Sequence, residues 1–343
     1  MKLTVIATTI LLIFIIIKSP ALQTDSKQKS SYRVVFYNVE NYFDPVTDST
    51  REYNEFVSDG TRHWTWKRYE EKRNKVYKVI TAIGEGEPVS IIALAEIENA
   101  FVLEDLLGKT PLKNKDYHFI HFESPDERGI DVGLIFLEEH FKPLFKTSIA
   151  ISYEKDSSFK TRDILYVKGL LGSDSLHLFI NHWPSRYGGL LETRDLRLAA
   201  AKTLKSVTDS ICRIQSLAAI LVMGDFNDNP YDESIRLLTD HGSCSLLSIP
   251  VLASHAEVKG SMKYRGNWES FDQVLVSEGI SDSFSGLAIV DGMAHIFSPD
   301  FLLKKDEKYL GVKPLRTYEG FNYTNGFSDH LPIFVDIYHH KPK

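Results

Sequence analysis

The chain alternates short apolar runs with polar segments, and seven of the apolar runs have the length and composition of β-strands. Several of these runs are apolar at consecutive positions, which predicts strands that are buried on both faces of a sheet. The predicted strands are residues 33–37, 89–95, 131–137, 176–180, 217–223, 271–277 and 331–337.

Two polar segments between these runs carry the periodicity of amphipathic helices. In residues 67–84, the apolar positions from Tyr69 to Ile83 fall near one face, and Gly84 follows as a residue that ends helices. Residues 194–211 are the second predicted helix. Strands and helices that are interspersed in this way predict a layered α/β fold.

Polar residues stand at one end of six of the predicted strands. Those that follow a strand are Asn38, Glu40, Glu96, His182, Asp225 and Asn227, and those that begin one are Asp272, Asp329 and His330. If the last two strands run antiparallel to the others, all of these side chains meet at one rim of the fold.

Such a rim would bring four or five carboxylates together, and they would repel each other strongly without a cation. Oxygen ligands of this kind suit Mg²⁺, with Mn²⁺ or Ca²⁺ as alternatives. A divalent ion on a phosphoryl oxygen acts as a Lewis acid during an in-line displacement. The predicted chemistry is therefore the metal-dependent hydrolysis of a phosphate ester.

Two histidines add acid–base chemistry to the same rim. His330 is a candidate to deprotonate an attacking water, with Asp272 as the carboxylate that orients its ring. His182 is a candidate either to bind a phosphoryl oxygen or to protonate the leaving oxygen. Asn227, helped by Asp225, could hold the water or a phosphate oxygen in line.

These residues lie in an ordered set of motifs: FYNVEN, LAEIEN, RGIDVGLIF, INHWPSR, GDFND, FDQVLVS and SDHLPI. The set resembles the endonuclease/exonuclease/phosphatase superfamily, which includes deoxyribonuclease I, apurinic endonucleases, sphingomyelinases and inositol polyphosphate 5-phosphatases. The resemblance spans nearly all of the chain from Arg33 to Ile337. It implies a four-layer α/β sandwich in which two packed mixed sheets are flanked by helices.

The resemblance also implies roles at matching positions. Asn38 matches an asparagine near the metal, Glu96 the principal metal-ligand glutamate, and Asp329 a second metal ligand. Glu40 stands where some members have an aspartate that reaches the metal. The residue before the ligand glutamate is often glutamine in the family and is Ala95 here, so one supporting hydrogen bond is absent.

The remaining implied roles concern the reaction itself. His182 matches the histidine that acts at the scissile phosphate in the deoxyribonuclease-like branch. Asp225 and Asn227 match the pair that aligns the nucleophile and the phosphate. Asp272 matches the carboxylate that supports the last histidine, and His330 matches the general base.

Two arginines are candidates for substrate binding, each with a simpler alternative. Arg128, in the segment DERGID, is expected either to contact phosphate or to be solvated in its loop. Arg186, after His182, is expected either to form a positive wall over the substrate or to lie on a solvated face.

Composition and the N-terminus limit the class of protein. The net charge of −6 over 343 residues excludes a generally basic protein that coats nucleic acid. Lys2, the apolar run 3–17 and Ala21 predict a signal peptide over residues 1–22, followed by a polar lead-in, 23–31, and a single domain, 32–340. The protein is then secreted, periplasmic or at the cell surface. The alternative is an uncleaved N-terminal membrane anchor.

The leading functional prediction is a nuclease that hydrolyses phosphodiester bonds of DNA or RNA. A lipid phosphodiesterase and a sugar or inositol phosphatase keep the same chemistry with another substrate, and residues 300–325 are the candidate lipid-binding segment. A surface binding module without catalysis is the third class, and no protein partner is inferred. The sequence leaves open whether Cys212 and Cys244 form a disulfide.

Overall fold

The structure is a computed structural model that describes residues 31–47, 54–240, 242–281 and 286–340. The predicted signal peptide lies outside these residues, and so does the lead-in up to residue 30. Ser31, which was assigned to the lead-in, begins the first strand instead. No helix in these four ranges combines the length and the apolarity that a membrane crossing requires.

Strands predominate in the described residues. The strands are β1 (Ser31–Tyr42), β2 (Ile91–Ile97), β3 (Tyr117–His121), β4 (Asp131–Leu137), β5 (Phe141–Ile149), β6 (Ile164–Leu171), β7 (Asp174–His182), β8 (Ile220–Asp225), β9 (Leu246–Ser248), β10 (Val251–Ala253), β11 (Met262–Tyr264), β12 (Asn267–Glu269), β13 (Asp272–Ser277), β14 (Gly286–Ile289), β15 (Ala294–Ile296), β16 (Leu303–Lys305), β17 (Val312–Pro314), β18 (Tyr318–Glu319), β19 (Asn322–Tyr323) and β20 (Ile333–His340). The α-helices are α1 (Trp66–Ile83), α2 (Ala100–Lys109), α3 (Arg194–Ile214), α4 (Glu233–Thr239) and α5 (Glu278–Ser281).

Most of the longer strands form two mixed sheets. The first has the order β10-β15-β20-β1-β2-β4-β3, with β14 also paired to β20, and the second has the order β5-β6-β7-β8-β13-β9. In the first sheet, β1 and β2 are parallel and β20 is antiparallel to β1. In the second, β7 and β8 are parallel and β13 is antiparallel to β8.

The packing of alternate side chains gives the fold its layers. Along β8, Leu221 and Met223 belong to the core that the two sheets share, whereas Val222 packs with α3 and α4 on the other side. Buried residues of α1, such as Val79, join the core of the first sheet. The predicted four-layer sandwich is confirmed: helices, sheet, sheet, helices.

The strand directions also bring the polar strand ends to one rim. His182 pairs with Asp225 across the parallel strands β7 and β8, and Asp225 pairs with Asp272 across the antiparallel strands β8 and β13. His330 precedes β20, whose first residue, Ile333, pairs with Phe36 of β1. The expectation that the last two predicted strands run antiparallel to the others is therefore confirmed.

One covalent crosslink closes the helical side of the second sheet. Cys212, in the last turn of α3, forms a disulfide with Cys244, and both residues are buried against α4 and β9. This settles a pairing that the sequence left open.

Candidate active site

Asp225 lies at the centre of the rim, where β8 ends. Its Oδ2 atom is 3.7 Å from Nε2 of His182 and 3.7 Å from Nε2 of His330. The same oxygen accepts a hydrogen bond of 3.0 Å from the side-chain amide of Asn38. Burial raises the pKa of Asp225 to about 6. One carboxylate therefore contacts an amide and lies within reach of both histidines.

His330 is held in a fixed orientation by its neighbours. Its Nδ1 atom lies 2.7 Å from Oδ2 of Asp272, and its backbone N–H donates to Oγ of Ser328. The Ser328 hydroxyl in turn donates to the backbone carbonyl of Asn38, which ties the loop before β20 to β1. Burial lowers the pKa of His330, but the carboxylates of Asp272 and Asp225 outweigh it and raise the pKa well above its ordinary value.

The pKa of His182 is shifted in the opposite direction from that of His330. Burial, together with the charges of Arg162 and Arg128, lowers its pKa well below the ordinary value, so the ring is neutral at pH 7. Its Nε2 atom lies 3.9 Å from Oε1 of Glu96. Among the described residues, its Nδ1 atom has no hydrogen-bond partner. Of the two ring nitrogens, Nε2 is the one that faces the rim.

Near the rim, strands β1 and β2 of the first sheet have unusual backbone dihedral angles. Glu40, Asn41 and Glu96 have positive φ angles of 54°, 52° and 62°, which non-glycine residues rarely adopt. The register between β1 and β2 shifts at this point. The Asn41 N–H donates to Oε2 of Glu96 over 2.9 Å, so the strained backbone positions the Glu96 carboxylate.

Glu40 is bound by cations and amides of the protein. Its Oε1 atom accepts hydrogen bonds of 3.0 and 2.9 Å from Arg316, and its Oε2 atom accepts one of 2.7 Å from the Thr317 N–H. Burial and the Asp329 carboxylate raise its pKa to about 7, against the effect of Arg316 and Lys72. Both Glu40 oxygens thus have protein partners, and the expected metal role of Glu40 stays a prediction.

Arg316 also binds Asp329, so it bridges two carboxylates of the rim. Its Nη2 atom lies 2.9 Å from Oδ2 of Asp329. Burial raises the pKa of Asp329, but the charges of Arg316, His330 and Lys72 together with a backbone hydrogen bond outweigh it and lower the pKa below the ordinary value. Asp329, Glu40 and Glu96 all raise the pKa of Arg316. Arg316 is therefore part of the positive charge that this acidic rim requires.

Asn227 and the two predicted arginines also lie at or near the rim. The Asn227 backbone N–H donates to Asp225, and its side-chain amide donates to the Trp183 carbonyl over 3.1 Å. Arg128 lies 2.8 Å from Oδ1 of Asn41 and 3.6 Å from Glu96. Its side chain is half-exposed and points to the site.

Arg186 does not form the expected positive wall over the substrate. Its guanidinium binds Asp228 over 3.0 Å and Asp232 over 2.6 Å, and it donates to the Asn227 carbonyl. It also lies over the ring of Phe271. Since two carboxylates compensate its charge, Arg186 holds the loop after β8 in place.

The sequence analysis missed Arg316 and Lys72. The buried Lys72 ammonium donates to the Thr317 hydroxyl over 2.6 Å and to the Phe327 carbonyl. Lys72 lies three residues after Tyr69 and four before Val76, on the apolar face of α1, and a lysine at such a position is a detectable signal. Arg316 lies between two short strands, where no periodicity distinguishes it from a solvated arginine.

The donor set of the rim fits a hard divalent cation. The carboxylate side chains of Glu96 and Asp329 are 13% and 24% exposed, so both are open to a hydrated ion. The buried Oδ1 atom of Asp272 lacks a hydrogen-bond partner among the described residues. Asp225, Asp272 and His330 also place ligand atoms within 4.8 Å of one another.

Comparison with known proteins agrees with the fold. A family model described as "Endonuclease/Exonuclease/phosphatase family" matches residues 33–339. Curated protein sequences give no match. Among solved structures, the human Nocturnin catalytic domain is 18% identical, with a TM-score of 0.55, and the match covers 90% of this chain and 94% of that chain.

Two further solved structures are similar over most of their length. A D. rerio TDP2 humanized by 14 mutations is 13% identical, with a TM-score of 0.55 and coverage of 90% of this chain and 98% of that chain. The Bacteroides thetaiotaomicron mannosyl-6-phosphatase is 13% identical, with a TM-score of 0.56 and coverage of 89% and 99%. At these identities, the likeness concerns the fold.

Proposed function

Because the chain belongs to the endonuclease/exonuclease/phosphatase family, whose members are metal-dependent hydrolases of phosphate esters, we propose that it is a nuclease that cleaves phosphodiester bonds of DNA or RNA. The observation that carries this proposal is the position of Asp225, whose Oδ2 atom lies 3.7 Å from a nitrogen of both His182 and His330. Two imidazole nitrogens and a carboxylate oxygen at these distances can surround one phosphate.

Glu96 and Asp329 are the proposed ligands of the metal, and Mg²⁺ is the proposed ion, with Mn²⁺ or Ca²⁺ as substitutes. When bound, the ion supplies Lewis-acid polarisation of a phosphoryl oxygen and neutralises charge that develops during the displacement. Asn38 supports this group through its hydrogen bond to Asp225. Glu40 contributes by anchoring Arg316 beside Asp329.

His330 is the proposed general base for the attacking water. Asp272 fixes the ring through Nδ1, so Nε2 faces the rim. The proton on His330 must leave before the ring can accept another. The surrounding carboxylates raise the pKa of His330. A bound cation would offset their charge and so lower this pKa.

His182 is the proposed ligand of a phosphoryl oxygen. Since burial lowers its pKa, a neutral ring that donates one N–H fits this role better than a reservoir of protons does. Asp225 and Asn227 align the water and the phosphate, and Arg128 is positioned to contact the substrate beside Glu96.

Phosphomonoester hydrolysis is the second candidate, and one structural neighbour favours it: the similar Bacteroides thetaiotaomicron protein is a mannosyl-6-phosphatase. Leu302 of the candidate lipid segment is 2% exposed, and Phe301, Leu303 and Tyr323 pack against the core. These four side chains are therefore not free to enter a lipid surface. The lipid alternative does not depend only on these four apolar side chains, because Leu310 and Phe321 of the same segment are 77% and 70% exposed.

Export remains part of the proposal. The Cys212–Cys244 disulfide supports it, because disulfides persist in oxidising compartments. N-terminal sequencing of the protein recovered from its native compartment tests the predicted cleavage near residue 22.

An activity panel on the purified protein tests the function. The substrates are plasmid DNA, RNA, sphingomyelin and a sugar phosphate, each with Mg²⁺, with a chelator, and with metal restored. We expect cleavage of nucleic acid that the chelator abolishes. His330→Ala and His182→Ala should each lower the rate at least ~10²-fold, the usual scale for a positioned acid or base.

The matched control is His118→Ala, because His118 is an exposed histidine on β3 that contacts Asp116. Near wild-type turnover in both His330→Ala and His182→Ala would refute the proposed roles. Release of phosphate from the sugar phosphate alone would replace the nuclease proposal by the phosphatase one.

A further inference from the structure

A cavity of about 360 Å³ opens beside Asp329, next to the proposed site. Arg316 and Asp329 line one side, and the other side is formed by two segments, residues 263–266 and 306–309. The volume is within the range of small-molecule sites. The cavity thus extends the rim toward solvent in one direction.

The charge of the cavity differs in sign from that of the whole chain. Five basic and three acidic side chains line it, although the chain has a net charge of −6. Each of the three acidic side chains forms an ion pair: Asp306 binds Lys263, Glu319 binds Lys313, and Asp329 binds Arg316.

Two of the lining cations are uncompensated. Within the described ranges, Arg265 and Lys308 have no carboxylate partner. Each instead lies over a tyrosine ring: Arg265 is 5.1 Å from the centroid of Tyr264, and Lys308 is 5.0 Å from that of Tyr309. These tyrosines are 53% and 42% exposed. The cavity therefore combines free positive charge with aromatic surface that is open to a ligand.

The hairpin that carries Tyr264 and Arg265 is rigidly joined to the active site. Met262 of β11 forms a β-bridge with His330, and the Leu331 N–H donates to the Ser261 carbonyl over 2.7 Å. Arg265 and Gly266 both have positive φ angles, as the tight turn between β11 and β12 requires. The position of the cavity relative to His330 is thus set by hydrogen bonds.

The two segments are also fitted to each other. A Cβ atom on Gly266 would lie 3.0 Å from Cβ of Tyr309, so a side chain there would displace this tyrosine. Glycine at residue 266 allows the Tyr309 ring to approach the turn.

We propose that this cavity binds a nucleoside phosphate unit of the substrate, with the base against Tyr264 and Tyr309 and a phosphate against Arg265 and Lys308. This inference rests on the proposed function and names the substrate class of the same site. Aromatic rings bind the faces of bases, and neighbouring cations bind the phosphates, which is how unpaired nucleic acid is held. The unit is supplied either by a free nucleotide or by a single-stranded end.

Two measurements test the proposal on the full chain. The first is calorimetric binding of adenosine monophosphate and of a short single-stranded oligonucleotide. The second is the ratio of kcat/KM for the oligonucleotide to kcat/KM for bis(p-nitrophenyl) phosphate, which has no nucleoside. In Arg265→Ala/Lys308→Ala, we expect weaker binding and a lower ratio, each by at least about tenfold.

Tyr264→Ala/Tyr309→Ala separates stacking from charge, because it should weaken binding of adenosine monophosphate but leave that of inorganic phosphate unchanged. The matched control is Lys142→Ala/Lys146→Ala, which removes two exposed cations from β5 at the edge of the second sheet. If the cavity substitutions weaken binding of adenosine monophosphate only, the unit is supplied by a free nucleotide. If they weaken binding of the oligonucleotide only, it is supplied by a strand end.

Unchanged binding and an unchanged ratio in both cavity variants would overturn the proposal. A wild-type protein that hydrolyses no phosphate ester would overturn the proposed function instead. Binding of adenosine monophosphate, and its loss in the two variants, would then still decide whether the cavity is a nucleotide site.

Discussion

At the scale of single residues, Arg316 explains how buried carboxylates coexist at the rim. Glu40 is 3% exposed, and its partners are Arg316, the Thr317 N–H and the charge of Lys72. Removing the partner of a buried carboxylate strongly destabilises the folded state, because the charge stays buried without compensation. A neutral amide at the same position leaves no such charge.

Arg316→Ala should therefore lower the free energy of unfolding by about 2 kcal/mol, because it leaves Glu40 without its cation. Glu40→Gln in the Arg316→Ala background should recover part of this loss, since the side chain at residue 40 then carries no charge that needs Arg316. Urea denaturation of the two single variants and the double variant measures the coupling. Strict additivity of the two substitutions would contradict the assigned pairing.

The sequence predicted the acidic and histidine members of the site better than their charge partners. Asp225, Asp272 and His330 stand next to predicted strands, so strand direction alone brings them together. Arg316 and Arg186 lie in irregular segments, and their partners are up to 276 residues distant. Such partners depend on the path of the loops, which no local pattern reports.

At the scale of elements, the parallel pair β7–β8 sets the distance between His182 and Asp225. Asn181 pairs with Gly224 one residue before them. A Cβ atom on Gly224 would lie 2.4 Å from the Asn181 carbonyl oxygen. The close approach of these two strands thus requires glycine at residue 224.

Gly224→Ala should lower both stability and activity, with a loss of about 2 kcal/mol or more, because backbone cannot yield as a side chain does. Gly108→Ala is the matched control, since its Cβ atom meets nothing within 4 Å on the exposed face of α2. The control should gain up to about 1 kcal/mol through helix propensity. Equal thermal unfolding of the two variants would contradict this account of β7–β8.

A second prediction at this scale concerns pH and the β6–β7 pair. Burial and the charge of Lys168 lower the pKa of His177 from 6.5 to about 4, and Nδ1 lies 2.7 Å from the Tyr166 hydroxyl oxygen. Above pH 6.5, the ring is neutral in both the folded and the unfolded chain. As the pH falls from 6.5 toward 4, the unfolded chain binds a proton that the folded chain resists, so stability falls.

His177→Gln keeps a side chain that can hydrogen-bond to Tyr166 and removes this titration. The wild type should lose about 2 kcal/mol more stability than His177→Gln between pH 7 and about pH 5. Urea denaturation at the two pH values measures it. Parallel losses in both proteins would show that His177 does not contribute.

The element predictions succeeded where burial is two-sided and failed for partly exposed or short strands, and the missed strands include β3, β5 and β6. Residues 131–137 form β4 within the predicted bounds, and the two predicted helices exist. The short strands between Leu246 and Tyr323 were missed, as was α2. Two- and three-residue strands bury few side chains, so tertiary pairing decides them and periodicity does not.

At the scale of the whole molecule, the sandwich presents its strand ends on one rim, and the disulfide secures the helical layer beside the second sheet. Cys212 and Cys244 are 32 residues apart in sequence. Cys212→Ala/Cys244→Ala, or reduction of the wild type, should cost about 3 kcal/mol of stability by relaxing this loop restriction on the unfolded chain. Chemical denaturation with and without reductant measures the effect, and insensitivity to reductant would contradict it.

The long apolar runs predicted a layered α/β fold, the family resemblance of the ordered motifs implied its four layers, and the strand directions entered as the condition under which the polar strand ends meet. If the rim gathers its carboxylates around a divalent ion, calorimetric titration with Mn²⁺ should detect that ion. The wild type should bind the ion, and Glu96→Gln and Asp329→Asn should each weaken binding at least about tenfold while their circular dichroism stays unchanged. A wild type that binds no divalent ion, or one whose affinity neither substitution alters, would show that Glu96 and Asp329 do not hold a metal.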